Sequence, residues 1–349
     1  MMQAKLTINL DAICDNWRAL DALSGANCET AAVIKADAYG LGAATVGPAL
    51  AAAGVKRFFV AQAEEAVALR AALGPTPEIY NFSGLMAGDD EAVTKHGMIP
   101  VLNSAAQVTS FSKVHAGHPC GIQLDTGMNR LGMEALEVAS VALDIAALKP
   151  DLIMSHLACA DEPLHPMNAA QLAAFNAMSF ALPASRKALS ATGGILLGAP
   201  YHFNLTRPGI GLYGGMPFKN ARPVVQLDLP VIQVRDVLPG EAVGYGAAWV
   251  ATRPSKIATV SSGYADGVLR AANGISLYAG HTPCPVVGRI SMDLITVDVT
   301  DLKDVPPSLS LLNATQTVDV LAQKAGTIGY EILTSLGSRY HRVYKGKNE

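Results

Sequence analysis

Short apolar runs recur through the first part of the chain, spaced roughly 20 to 30 residues apart. They are AAVIKA (31–36), RFFVA (57–61), PEIYNF (77–82), MIPVL (98–102), GIQLD (121–125), DLIMSH (151–156), KALSA (187–191) and YHFNL (201–205). Each run is continuously apolar rather than alternating, which is typical of parallel strands buried on both faces. Helix-like segments separate most of them. Because eight such strands close a barrel, the pattern predicts a TIM-like (β/α)8 barrel over residues 10–222.

The N-terminal residues predict a short strand followed by an amphipathic helix. The strand spans residues 5–9, and Asp11 is the candidate N-cap of the helix. Ile13, Trp17 and Leu20 follow at spacings of four and three residues, which places them on one helical face. We expect that face to be buried.

The pattern changes from about residue 223 onward. VVQLDLPVIQVRDVLPGEAVGYG, KIATVSSGYADG and RISMDLITVDVT are β-branched, partly alternating and interrupted by Pro and Gly. Such segments are typical of antiparallel strands. They predict a second, mainly-β domain over residues 223–349, to which we assign the N-terminal strand (residues 1–9). The expected fold class is therefore α/β, a barrel with a C-terminal mainly-β domain.

Composition narrows the class of partner. The 349 residues carry a net charge of −3, and only 16% of them are charged. Nothing in a weakly acidic composition of this kind points to nucleic acid or an anionic membrane, so a small molecule is the expected partner.

The cysteines and the apolar runs bear on the compartment. The five cysteines are scattered and form no CxxC spacing, which argues against both a disulfide framework and a zinc site. No apolar run approaches the length of a membrane span, and the N-terminus lacks the apolar core of a signal peptide. We expect a cytoplasmic protein with no structural metal.

Polar residues stand at the ends of several predicted barrel strands, where the active sites of barrels lie. They are Lys35, Asp125, Arg130, His156 and Arg207. Taken singly, Lys35 is also compatible with a lysine that extends to solvent, and His156 with a core histidine. Asp125 and His156 leave a metal-dependent hydrolase open, although no further ligand spacing supports it.

Eight segments, taken together and in order, resemble the motifs of the alanine racemase family, pyridoxal 5'-phosphate (PLP) enzymes built from a barrel and a β domain. They are VIKADAYGLG (33–42), QLDTGMNRLG (123–132), SHLACAD (155–161), RPGIGLYGG (207–215), VGYGAAW (243–249), SSGYADG (261–267), VGRISMD (287–293) and TIGYEIL (327–333). The resemblance covers nearly the whole chain. It implies interconversion of L-alanine and D-alanine, which would supply D-alanine for peptidoglycan.

The resemblance assigns the cofactor contacts. Lys35 matches the lysine that forms the Schiff base with PLP and acts as one catalytic base. Tyr39 and Tyr330 match the tyrosines that bind the cofactor phosphate, together with the backbone N–H groups of Gly209 and Ile210. Thr192 keeps a hydroxyl for the same phosphate, although the family often has Asn-Ser where this chain has Ala191-Thr192.

Racemisation needs a second base on the opposite face of the substrate, and Tyr245 matches the family tyrosine in that role. His156 and Arg207 match the partners that lower its pKa. Arg207 also matches the arginine that faces the pyridine nitrogen of PLP. A guanidinium can only donate there, which favours a racemase over a transaminase.

The resemblance also implies how substrate is held. Arg130 and the Met292 backbone match the groups that bind the substrate carboxylate. The matching access-channel residues are Tyr264, Arg270 and Asp293. Because the β domain reaches the partner's barrel in this family, a homodimer with shared active sites is expected.

Gln123 departs from the family pattern, since many members have a carbamylated lysine at this position that holds the arginine corresponding to Arg130. We hypothesise that Gln123 forms a direct hydrogen bond instead, with a bound chloride supplying the missing charge.

Three other functions stay open at this point. They are a broader racemase for serine or basic amino acids, a PLP decarboxylase of the same architecture, and a single-barrel PLP carrier. Tyr245 at the position of the decarboxylase cysteine, and the long second domain, weigh against the last two.

Overall fold

The computed structural model describes residues 3–272 and 274–346. Its strands are β1 (Lys5–Asn9), β2 (Glu29–Thr30), β3 (Ala32–Val33), β4 (Arg57–Val60), β5 (Glu78–Asn81), β6 (Met98–Leu102), β7 (Gly121–Gln123), β8 (Leu152–Met154), β9 (Arg186–Ala188), β10 (Leu205–Thr206), β11 (Val225–Val237), β12 (Ala242–Val243), β13 (Trp249–Val250), β14 (Ser255–Ser261), β15 (Ser276–Ala279), β16 (Thr282–Pro285), β17 (Leu294–Asp298), β18 (Ser308–Leu312) and β19 (His341–Lys345). Its helical segments are α1 (Leu10–Ser24), α2 (Lys35–Gly40), α3 (Ala43–Ala53), α4 (Ala63–Leu73), α5 (Asp90–Thr94), α6 (Ala105–Val114), α7 (Ala135–Ser140), α8 (Ala142–Leu148), α9 (Pro166–Ser179), α10 (Thr192–Leu196), α11 (Val318–Ala325) and α12 (Gly329–Ser335). None of the helices in the described residues is long and apolar enough to cross a membrane.

One compact unit comprises Cys14–Tyr213 and Pro217–Ala221. Its main sheet joins β3 to β9 in chain order, and every neighbouring pair is parallel. Helices lie between the strands along the chain, and the central strand residues are buried on both faces. This arrangement confirms the predicted α/β class with a curled parallel sheet.

The eighth predicted strand is much shorter than its apolar run. The run covers 201–205, but β10 is confined to Leu205–Thr206, and it pairs in parallel with β2. Pro200 lies inside the 3-10 turn Ala199–Tyr201 that immediately precedes it. Because proline fixes its own φ and lacks an N–H, it favours this turn over an extended strand.

The first helix starts two residues earlier than predicted. α1 begins at Leu10, and Asn9 Oδ1 accepts a hydrogen bond from Ala12 N at 2.9 Å. Asn9, not Asp11, therefore caps this helix, and Asp11 lies in its first turn, where a negative charge is still favourable. Ile13, Trp17 and Leu20 are all buried, as the spacing predicted.

A second compact unit is formed by the described residues up to Ile13, by Gly214–Met216 and by the described residues from Arg222 onward. Its sheet has the order β16-β15-β18-β11-β1-β19, with β14 pairing with both β11 and β17. Strand β1 is antiparallel to β11 and parallel to β19. The unit is mainly β, as the alternating and β-branched pattern predicted.

Candidate active site

Five of the predicted site residues follow barrel strands. Lys35 follows β3, Arg130 follows β7, His156 follows β8, Thr192 follows β9 and Arg207 follows β10. Since the carboxyl ends of parallel strands meet at one edge, the sheet itself brings these side chains to one end. The Arg207 N–H donates to Ser190 O at 2.9 Å, which joins β10 to the residues after β9.

The chain after Lys35 forms a left-handed turn. Residues Ala36 to Tyr39 have φ between 52° and 56°, although none of them is glycine. The turn is held by bonds from Ala38 N to Ile34 O at 2.9 Å and from Ala43 N to Asp37 Oδ1 at 2.7 Å. An L-residue in this region costs roughly 1–2 kcal/mol, so strain is stored directly beside Lys35.

Tyr39 is the last non-glycine residue of this left-handed turn. It is buried and stacks on Tyr213, with ring centroids 4.6 Å apart. The Tyr213 hydroxyl donates to Val33 O at 2.9 Å, so the supporting ring is itself fixed to β3. The Tyr39 hydroxyl lies so close to Gly209 that a Cβ on that glycine would overlap it.

Donor groups converge around Gly209. Thr192 Oγ1 accepts from Gly209 N at 3.1 Å and from Gly211 N at 3.2 Å, which leaves the Thr192 O–H free to donate elsewhere. Ile210 starts a 3-10 turn immediately afterwards. Tyr39, Thr192 and Gly209 are thus brought together. The Tyr39 and Thr192 hydroxyls, with the Ile210 N–H at the start of the 3-10 turn, form a suitable cradle for a phosphate.

Positive charge and burial control the titratable groups at this end. Desolvation, followed by the charge of Arg130, lowers the pKa of Lys35, and Glu65 partly opposes this. Desolvation, followed by Arg207, Arg130 and Lys35, lowers the pKa of His156 to about 3. The imidazole is therefore neutral at pH 7, and a fraction of neutral Lys35 amine is available.

Arg207 is a buried cation with an unused donor. Its Nη2 donates to Ser155 O at 2.6 Å and to Leu189 O at 3.2 Å. Its Cζ lies 5.9 Å from the ring centroids of both Phe59 and Phe82. Burial lowers the pKa of Arg207 to about 9, so it stays charged at neutral pH. Its buried Nε has no partner among the described residues.

Gln123 holds the loop that carries Arg130 by a hydrogen bond to a main-chain carbonyl of that loop. Its Nε2 donates to Leu131 O at 3.1 Å, one residue after Arg130, and the amide itself is buried. The direct hydrogen bond that we hypothesised is thus made to the backbone and not to the guanidinium. Arg130 itself is exposed and lines a cleft with Asp125 and Glu134.

Two polar residues that the sequence analysis did not single out support the strand ends. Gln171 Oε1 accepts from Ala158 N at 2.8 Å, and its Nε2 donates to His156 O at 2.9 Å, which fixes the chain around that histidine. Glu65 accepts from Ala36 N at 2.6 Å. A glutamate in the first turn after Gln62 is typical of a helix cap. Nothing in the sequence indicates that Glu65 also accepts a bond from the Ala36 N–H.

The remaining predicted residues lie in the mainly-β unit, at exposed turns. Tyr245 opens a 3-10 turn and is 71% exposed, and Met292 is 53% exposed. The Tyr264 N–H donates to Ser291 O and the Ala265 N–H to Met292 O, both at 3.0 Å, so these two turns are adjacent.

Arg339 organises the same region and was also missed. It donates to both carboxylate oxygens of Asp266, at 2.6 and 2.8 Å, and to Asp293 Oδ1 at 2.8 Å. Arg270 is exposed in the loop after the Tyr264 turn. Tyr330 lies near the start of α12 and is 38% exposed.

Comparison with known proteins settles the family. The sequence model of the alanine racemase N-terminal domain matches residues 8–217, and that of the C-terminal domain matches residues 224–344. This chain belongs to the alanine racemase family. Among the described residues, no group of three or more His, Cys, Asp or Glu side chains is arranged to hold a metal ion.

Members of the alanine racemase family resemble the chain over its full length. The alanine racemase of Ruegeria sp. (strain TM1040) is 61% identical over 349 residues, covering 99% of both chains. That of Rhodospirillum rubrum is 46% identical, covering 99% of this chain and 97% of its own. The crystal structure of alanine racemase from Bartonella henselae with covalently bound pyridoxal phosphate has a TM-score of 0.94 at 38% identity, and covers 99% of this chain and 100% of its own.

Proposed function

We propose that this protein is an alanine racemase that interconverts L-alanine and D-alanine with PLP. The observation that carries the proposal is the strand-end pair of Lys35, whose pKa is lowered, and Arg207, which is buried with an unused Nε–H. Both occur in a chain whose whole length matches the family. We assign residues 10–222 to the PLP-binding barrel and 223–349, with the strand over 1–9, to the mainly-β domain.

The residues present fit PLP on two grounds. The cradle of Tyr39, Thr192, Gly209 and Ile210 suits a phosphate, and a side chain on Gly209 would fill it. Arg207 Nε–H suits an acceptor such as the pyridine nitrogen. We assign Tyr330 to the same phosphate. When bound, PLP withdraws electrons from the attached amino acid and makes its Cα proton acidic.

Lys35 holds the cofactor and moves one proton. Its neutral amine would hold PLP covalently. When substrate takes its place, the freed amine would take or return the Cα proton on one face. The lowered pKa serves both steps, because a protonated amine is neither a nucleophile nor a base.

Arg207 and His156 set the charge behind the reacting carbon. Arg207 remains a cation and can only donate, so it would hold the pyridine nitrogen of PLP without giving it a proton. This would weaken the electron withdrawal by the cofactor and so favour return of the proton to Cα. His156, held neutral, adds no positive charge beside it.

Tyr245 is assigned the proton on the opposite face, and it needs another chain to do this. Its side chain is 71% exposed on the β unit. Four other assigned residues of that unit are exposed too, namely Met292 and the access-channel residues Tyr264, Arg270 and Asp293. We propose a homodimer in which these side chains complete the partner's barrel. Arg130 and the Met292 backbone then bind the substrate carboxylate, and His156 and Arg207 are the proposed neighbours of Tyr245.

The compartment follows from the cysteines. All five lie in the described part of the chain and none forms a disulfide there, and three of them are buried. Cysteines without disulfides in a chain of this size are typical of a reducing compartment, so we place the enzyme in the cytoplasm, where D-alanine would serve peptidoglycan synthesis.

The deciding experiment is a time course by chiral chromatography on the PLP-loaded protein with L-alanine, L-serine or L-lysine. We expect L-alanine to reach an equal mixture of enantiomers, and faster than the other two substrates. Lys35→Ala should abolish both the reaction and the absorbance of lysine-bound cofactor, whereas Lys187→Ala, at a strand of the same sheet, should keep both. Release of CO2, or activity in Lys35→Ala, would refute the proposal.

A further inference from the structure

Glu65 joins two neighbouring strand ends through one carboxylate. Its Oε1 accepts from Ala36 N at 2.6 Å, directly after Lys35 at the end of β3. Its Oε2 accepts from Ala61 N at 2.7 Å and Gln62 N at 3.3 Å, directly after β4. A carboxylate that only capped α4 would need the second oxygen alone.

The first of these bonds falls where the backbone is strained. Ala36 is the first residue of the left-handed turn, with φ 52° and ψ 48°. Its N–H bond to Glu65 therefore fixes the point at which the chain leaves β3 and the Lys35 side chain departs. A hydrogen bond to a charged acceptor is stronger than one to a neutral acceptor, so this bond offsets the cost of one left-handed alanine at least in part.

Glu65 also offsets the positive charges around Lys35. Arg130 and burial lower the pKa of Lys35, while Glu65 raises it, and His156 nearby is held neutral. Without Glu65 the pKa of Lys35 would therefore lie still lower.

We infer that Glu65 is a positioning residue that holds the main chain at Lys35 and supplies the counter-charge for its amine. The inference rests on the proposed role of Lys35 as the PLP anchor. Glu65 touches neither substrate nor cofactor in this assignment, and it acts through the Ala36 amide and its own charge.

The test compares Glu65→Ala and Glu65→Gln with the neighbouring Glu64→Gln, which removes an equal charge from an exposed position of the same helix turn. Hydrogen exchange at the Ala36 amide is measured by mass spectrometry on the PLP-loaded full chain. We expect exchange to be about 10- to 100-fold faster in Glu65→Ala, less affected in Glu65→Gln, and unchanged in Glu64→Gln.

The second readout is the pH profile of PLP attachment to the cofactor-free full chain, followed by absorbance. Both Glu65 variants should shift its midpoint to lower pH, because each removes the charge that favours the lysine cation. Glu65→Ala should also retain PLP about tenfold less well, and Glu65→Gln should recover part of this through its one carbonyl oxygen.

An unmoved pH midpoint in both variants, or Ala36 exchange as slow in Glu65→Ala as in the unaltered protein, overturns the inference. Failure of the unaltered protein to attach PLP at Lys35 would instead overturn the proposed function. In that case, exchange at the Ala36 amide of the cofactor-free full chain still reports on Glu65.

Discussion

Replacing Ala36 with glycine should stabilise the protein, because it relieves the left-handed turn at a single residue. The residue is exposed and has φ 52°. Relief of this conformation is worth roughly 1–2 kcal/mol, and the extra freedom of glycine in the unfolded chain costs about 0.4–1 kcal/mol. We expect a net gain of about 0.5–1 kcal/mol, or about 1–4 °C in melting temperature for a unit of this size.

The matched control makes the same substitution where the backbone is right-handed. Ala68 is exposed in the middle of α4, so Ala68→Gly should cost about 1 kcal/mol. Equilibrium unfolding of the cofactor-free chain in urea, followed by circular dichroism, gives both values as shifts in midpoint at constant slope. Opposite signs are expected. A loss of stability in Ala36→Gly equal to that in Ala68→Gly would refute the left-handed assignment.

Three further predictions address the proposed site. Mixing inactive Lys35→Ala and Tyr245→Phe chains should restore activity through one intact site per heterodimer, and no recovery would contradict shared sites. Gly209→Ala places a Cβ against the Tyr39 hydroxyl, so PLP retention should fall about tenfold or more. Adding Tyr39→Phe should restore part of this retention, whereas an unchanged affinity of Gly209→Ala for PLP would count against the cradle. His156 has its folded pKa depressed to about 3, so its contribution to stability is present above pH 6.5 and is lost as the pH falls. Between pH 8 and 5 we expect the free energy of unfolding to fall by about 2 kcal/mol, and His156→Gln should largely remove this loss. An equal dependence of the free energy of unfolding on pH in both proteins would refute this.

The barrel strands were predictable because each strand is buried, and a buried strand appears in the sequence as a continuous apolar run. Continuous apolar runs can satisfy their backbone only in a sheet covered on both faces, and the observed β4, β5 and β6 lie within the predicted runs. Lys35 and His156 were found for the same reason, since a polar residue that ends such a run must lie at a strand end. The last strand was overestimated because Pro200 constrains a turn that hydrophobicity does not report.

The sequence by itself determined the order of elements, the two compositional regions and the strand-end residues, since each depends on neighbours along the chain. It did not determine the handedness of VIKADAYGLG. ADAY contains no glycine, so local preference favours right-handed backbone. Only the tertiary structure, through Glu65 at Ala36, Asp37 at Ala43 and the Tyr39–Tyr213 stack, holds the left-handed turn. The contact between Asp37 and Ala43 is local, but Glu65 and Tyr213 are distant in sequence, and only the fold brings them to this turn. Together these contacts outweigh a local preference of roughly 1–2 kcal/mol per residue.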